Sequence, residues 1–252
     1  MPSTLSKQPP TCVGVDGCKG GWFAVLQDGE KGELQWAAHS SFSEVLAWAP
    51  DSAIVAIDIP IGLSDSGARD CDVAAKKMLK WPRSASVFSA PIKQTLSSLD
   101  PTIGDPYRHA CDINRSVTGK AISKQAFNIL GKIAEVDGVL AKRPAVQKRV
   151  FEIHPELSFM ALKNHSGAEP RGLVQSKHTI EGFNLRRALL FETFGARVDD
   201  VLATRLTLTE KVSKDDILDA LACLWSARRI SRQQHFRLPQ DAATHSHGSI
   251  YY

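Results

Sequence analysis

The sequence predicts an α/β fold on a mixed sheet, with elements in the order β-β-β-α-β-α-β-α and a helical insertion after the fourth strand. Three observations predict it. Short apolar, β-branched runs separated by glycine pairs open the chain. A continuous apolar run, Ala53–Ile59, comes next, and segments with helical spacing fill the middle and the C-terminal part. The first pattern belongs to hairpin strands, the second to a strand covered on both faces, and the third to helices that bury one side.

Taken in order, Thr11–Val15 is a first strand that runs into Asp16-Gly17, and beyond Gly20-Gly21 comes a second, Trp22–Leu26. Turn glycines at 29 and 32 lead to a third strand, Leu34–His39, which completes an antiparallel meander. Ser41 with Glu44 three residues on forms a capping box for a short helix, Phe42–Ala49. Ala53–Ile59 is the fourth strand. Helical spacing predicts helices over Asp72–Lys80 and Lys124–Leu140, with Gly, Pro and Ser punctuating the stretch between them. Val150–Ile153 is a short strand stopped by Pro155, and Thr179–Phe194 and Asp215–Arg229 are the strongest helices of the C-terminal part. The expected organisation is one domain over residues 11–238, a helical insertion at about 64–148, and flexible tails at 1–10 and 239–252.

Composition narrows the classes. With 252 residues, 43% of them hydrophobic and 23% charged, the chain can bury a large core without staples. No apolar run approaches the ~20 residues a membrane-spanning helix needs. Met1–Pro10 lacks the apolar stretch of a signal peptide, so the expected compartment is the cytoplasm. The five cysteines form no CxxC pair, and His245 and His247 fall in a polar tail, so no zinc site is expected. A balance of 31 basic against 27 acidic residues, net +4, neither requires nor excludes a nucleic-acid partner.

The informative residues are acids in apolar settings. Asp16 ends an apolar strand, Asp58 ends the most hydrophobic one, and Glu152 interrupts Val150-Phe151-Ile153. Asp216 and Asp219 share one face at the start of the helix over 215–229, above the small residues Ala220, Cys223 and Ala227 that let a helix approach a sheet. A dehydrated carboxylate needs a cation or hydrogen-bond donors, and several converging on one point need shared protons or divalent metal. Oxygen-only ligation selects Mg²⁺ or Mn²⁺, and such ions suit attack by water on a phosphodiester. Other readings stay open for each acid. Asp16 and Asp58 also fit turns, Glu152 fits a solvent-facing edge, and Ser213 with Asp216 fits a capping box.

The segments VGVDGCKGGW (13–22), AIDIPIGL (56–63), SVFSAPIK (86–93), KIAEVDGVL (132–140), FEIHPELSF (151–159) and DDILDALACLW (215–225) resemble the family of domain of unknown function 429. The likeness covers roughly residues 12–230. The family is regarded as a predicted nuclease of ribonuclease H-like fold, and the last segment is also similar to the end of bacterial Holliday-junction resolvases. In that superfamily the acids come from the first strand, the fourth strand and the final helix, often with one from a fifth strand. The resemblance therefore implies a ribonuclease H-like mixed sheet. It implies Asp16, Asp58, Glu152, Asp216 and Asp219 as catalytic residues, with Asp16, Asp58 and Asp219 as primary ligands to Mg²⁺ or Mn²⁺. By analogy with the resolvases it also implies a homodimer.

Lys93, His154 and Lys177 are the expected substrate-side groups. Lys93 stands where the resemblance implies arginine, and the two are not equivalent at a bidentate phosphate contact. Gln125, Glu156 and Arg186 fall near the same motifs. Locally basic stretches at 69–93, 142–149 and 228–237 could face a nucleic-acid backbone or be solvated helix faces. The leading expectation is a metal-dependent phosphodiester hydrolase acting on nucleic acid or a nucleotide-like substrate. A phosphotransferase-like nucleotide binder of the actin-like and sugar-kinase superfamily, or a non-catalytic binding protein on the same fold, are the alternatives. The Asp16-Gly17 hairpin suits the former, but no second phosphate loop follows.

Overall fold

The computed structural model describes residues 10–164, 171–204, 211–240 and 248–252. Of the tails expected at 1–10 and 239–252, residues 1–9 and 241–247, with His245 and His247, lie outside the described residues. A hairpin of β1 (Cys12–Cys18) and β2 (Gly21–Gln27) is followed by β3 (Leu34–His39), α1 (Phe42–Trp48) and β4 (Ile54–Ile57). Between β4 and β5 (Val150–Ile153) lie α2 (Asp70–Leu79), α3 (Pro106–Thr118), α4 (Lys124–Asn128), α5 (Leu130–Lys142) and α6 (Pro144–Gln147). The chain continues through α7 (Pro155–Lys163), α8 (Ile180–Phe194), α9 (Arg197–Ala203) and α10 (Lys214–Ser231) to β6 (Arg237–Leu238) and β7 (Ile250–Tyr251).

Among the described residues the strands form one seven-stranded mixed sheet in the order β3-β2-β1-β4-β5-β7-β6. β1–β2 and β2–β3 are antiparallel, whereas β1–β4 and β4–β5 are parallel. The hairpin depends on Gly21, whose φ of +139° and whose missing Cβ, 2.0 Å from the His39 carbonyl oxygen, both exclude a larger residue. Alternation along the strands divides the core. Gly14, Phe23 and Ala56 face α10, while Val13, Val15, Val55 and Ile57 face α1 and α5.

Helix α10 is apolar nearly all round because it is covered on all sides, by the sheet and by α7, α8 and α9. Its closest approach is at Gly14, where a built Cβ would lie 2.1 Å from both the Ala220 carbonyl oxygen and the Leu224 nitrogen. The small stripe read from the sequence thus meets a glycine in the central strand, and the two backbones touch.

Three expectations change. β1 runs on through Asp16 to Cys18, so Asp16 lies within a strand rather than at its end. The helix expected over Lys124–Leu140 divides at Ile129 (φ −101°, ψ 1°), because Ala126 packs toward α3 while Ile133 and Val136 pack on the sheet. The expected loose C-terminal segment includes a strand: Ile250 and Tyr251 pair with β5 and β6, with Ile250 buried. Two residues are too few for alternation to reveal.

Candidate active site

The β1–β4 register pairs Val15 with Ile57, and the Asp58 amide donates to the Val15 carbonyl at 3.0 Å. One step further along both strands, Asp16 and Asp58 stand side by side, about a strand spacing apart. α10 crosses behind them at Gly14, and Asp219, one residue before the contacting Ala220, completes the group. Local chemistry fixes that turn of α10. Ser213 Oγ accepts the Asp216 amide at 3.1 Å while the Asp216 carboxylate accepts the Ser213 amide at 2.7 Å. The capping box therefore forms, and Asp216 orients the helix that carries Asp219.

The charges in this group do not balance. Asp16 and Asp219 are buried, and the cation bonded among them is Lys177, whose Nζ donates to Asp219 at 2.6 Å. Asp16 takes a hydrogen bond from the Gly17 amide at 2.7 Å but has no ion-pair partner among the described residues. Burial, then the neighbouring Asp58, Asp219 and Asp216 charges, hold the Asp16 carboxyl well above the usual carboxylate range. Burial and the Asp219 charge push Asp58 up to about 8 against the pull of Lys177. The field of Asp219, strengthened by that of Asp16 and Asp58, raises the Lys177 ammonium above its ordinary value. Behind them the Cys223 thiol is raised by burial and the same three carboxylates, so it remains a neutral floor rather than a thiolate ligand.

A cleft of about 450 Å³ opens on this group, with Asp58, Asp219, Lys177, His154 and Glu152 in its walls. Burial lowers the pKa of His154, so the imidazole is neutral near pH 7, and its buried Nδ1 has no hydrogen-bond partner. Lys177 is positioned from behind. Arg186 Nη2 clamps Glu156 at 2.6 and 2.9 Å, while Arg186 Nη1 donates to the Gln175 carbonyl at 3.1 Å and pins the loop that carries Lys177.

Glu152 has another destination. Its Cα pairs with Ile57, which places its side chain on the α1/α5 face, opposite to Asp16. There it binds Arg69 through two hydrogen bonds of 2.7 Å and accepts the Ile61 amide at 2.7 Å. Arg69, 1% exposed, also holds Asp72 at 2.6 Å. Against its own desolvation, Glu152 and Asp72 keep Arg69 firmly charged. Among the described residues, Cys71, Asp72 and Glu152 are the one trio of ligand-type side chains with donor atoms all within 4.8 Å of one another. That trio does not suit a metal, because a guanidinium already fills its centre. No trio drawn from Asp16, Asp58, Asp216 and Asp219 reaches that spacing.

Of the expected site residues, the structure brings together Asp16, Asp58, Asp219, Lys177 and His154, with Asp216 adjoining as a cap. Lys93 is exposed, starts a 3-10 turn and lies outside the cleft, its amide bonded to the Ser64 carbonyl at 2.8 Å. Sequence reasoning placed Arg69 in a surface-basic stretch; the structure buries it. The Arg-x-x-Asp spacing of Arg69 and Asp72 was the available signal. The basic stretch at 228–237 spends Arg228 and Arg232 on Glu30 and stacks Arg229 on Trp225.

The donor set around Asp16, Asp58 and Asp219 is oxygen-only, with three carboxyl groups to one ammonium, and both properties fit a hard divalent cation. Among the described residues no helix is long and apolar enough to cross a membrane. A family model described as "Protein of unknown function (DUF429)" matches residues 14–244. No curated protein and no solved structure matches the chain.

Proposed function

Since the chain belongs to the DUF429 family, a family without an assigned activity, we propose that it is a divalent-metal-dependent phosphodiester hydrolase of nuclease type. Asp16, Asp58 and Asp219 are its metal ligands, and the substrate is nucleic acid or a nucleotide-like phosphodiester. The observation that carries the reading is the charge deficit: three adjoining carboxylates share one ammonium. The order β3-β2-β1-β4-β5, with acids on β1, after β4 and on the last long helix, supports a ribonuclease H-like scaffold.

Bound Mg²⁺ or Mn²⁺ would supply Lewis acidity at the phosphodiester and make water a better nucleophile. The chain's own residues supply the remainder. Lys177 neutralises Asp219 when no cation is bound and presents its ammonium to a phosphate oxygen at the cleft. His154, neutral and with Nδ1 unpartnered, can accept a proton or a hydrogen bond from substrate. Asp216 acts through its cap, holding the first turn of α10 and with it Asp219. Glu152 serves as the partner of Arg69 and fixes the wall of the cleft.

Cleavage of single-stranded, duplex and branched substrates with Mn²⁺ tests the reading. Wild type is expected to cleave at least one of them, and Asp16→Asn and Asp58→Asn to lose at least a hundredfold in rate. Cleavage that survives both substitutions unchanged would overturn it.

A further inference from the structure

The geometry points to the cleft as a pocket for a single nucleotide unit, its base held against Phe88 and Ile129 and read by Gln125 and Asn128, its phosphate turned toward Lys177 and the acids. This rests on the hydrolase reading and names the substrate unit of that same site. About 450 Å³ lies in the range of pockets that enclose one small molecule.

The walls of the cleft combine charged side chains, among them Asp58, Asp219 and Lys177, with the apolar Phe88, Ile129 and Pro155. A nucleotide combines the same two chemistries, a charged phosphate and a flat, weakly polar ring. A ring that leaves a stack and enters such a pocket is held by aromatic and apolar side chains and read along its hydrogen-bonding edge.

Gln125 and Asn128 of α4 line the cleft, are exposed, and make no side-chain hydrogen bond among the described residues, so both amides are open to a ligand. An amide offers a donor and an acceptor together, the pairing that a base edge presents. His154 lines the same cleft, and its buried Nδ1 has no hydrogen-bond partner among the described residues.

The test uses the intact chain and calorimetric binding, so it needs no turnover. The probes are the four nucleoside 5′-monophosphates, ribose 5-phosphate as the base-free control, a single-stranded tetranucleotide and a closed hairpin duplex, each with and without Mn²⁺. At least one monophosphate is expected to bind one-to-one and at least tenfold tighter than ribose 5-phosphate. Gln125→Ala, an exposed change that leaves the core intact, should cost about tenfold and alter the preference among bases. Phe88→Ala should cost more. Tetranucleotide binding that the monophosphate displaces identifies a strand as the source, and monophosphate binding alone identifies a free nucleotide.

Equal affinity for ribose 5-phosphate, binding of the duplex alone, or no effect of Gln125→Ala overturns the inference. Mn²⁺ binding without base discrimination leaves the metal centre standing and removes the nucleotide pocket. Nucleotide binding that neither Mn²⁺ nor Asp58→Asn affects does the reverse.

Discussion

Two groups of buried carboxylates share one cleft and are treated in opposite ways. Glu152 and Asp72 converge on Arg69, and every hydrogen bond the guanidinium makes there is charge-assisted or goes to a backbone carbonyl. Asp16, Asp58 and Asp219 converge with Lys177 as the cation bonded among them. Asp16, Asp219, Glu152 and Asp72 are buried and Asp58 is half-buried, so pairing is what chiefly differs. Burial raises the Glu152 carboxyl too, but Arg69 pulls against it, whereas at Asp16 and Asp58 like-charged neighbours add to the rise. Pairing with a cation, rather than burial, is what marks Glu152 and Asp72 as structural.

The sharpest way to break the comparison is at Arg69. Arg69→Ala leaves Glu152 and Asp72 buried without a partner, and a loss of about 3–5 kcal/mol is expected in denaturant unfolding. A loss under 1 kcal/mol would show that the Arg69 group is not the strut described. Gly14→Ala comes next. Its methyl group would meet the α10 backbone at 2.1 Å, so overpacking should cost about 3 kcal/mol and displace Asp219 from Asp16. Unfolding curves measure the first effect and weakened Mn²⁺ binding the second. Lys177→Met strips Asp219 of its charged hydrogen bond and should cost about 2 kcal/mol without metal. Because the ammonium no longer competes for Asp219, Mn²⁺ should bind more tightly to this variant, as titration calorimetry can read.

The pH dependence is smaller and has a definite sign. Asp58 has a higher pKa folded, about 8, than unfolded, so the native state holds the extra proton between about pH 4 and 8. Its contribution is complete below the ordinary carboxylate range and is lost as pH rises through about 8. The metal-free protein should therefore lose melting temperature across that window relative to Asp58→Asn. Saturating Mn²⁺ should flatten the difference. Parallel melting curves for wild type and variant would remove the charge deficit from the account.

Much of this was legible in the sequence. The meander, the double-sided strand, Asp16, Asp58 and the Asp216/Asp219 face all follow from local pattern, and the structure gathers them. The fate of Glu152 was not legible. It depends on which residue of β4 pairs with β5, and that register is set across an insertion running from Asp70 to Gln147. A shift of one residue would have turned Glu152 toward Asp16. Arg69 was hidden for a related reason, because an arginine in a locally basic stretch reads as surface until its two carboxylates are placed around it. Lys93 shows the converse: it lies in a resembling motif, yet its loop points it away from the cleft.

The Asp16–Asp58–Asp219 group sets three carboxyl groups against one ammonium that bonds only Asp219, whereas the Arg69 guanidinium bonds both carboxylates of its group. Calorimetric titration of Mn²⁺ into wild type and Asp58→Asn tests that contrast directly. Wild type is expected to bind saturably and Asp58→Asn at least tenfold more weakly, with the metal-free variant melting at or above the wild-type temperature. Absence of Mn²⁺ binding to wild type, or equal binding to a variant that melts lower, would contradict it.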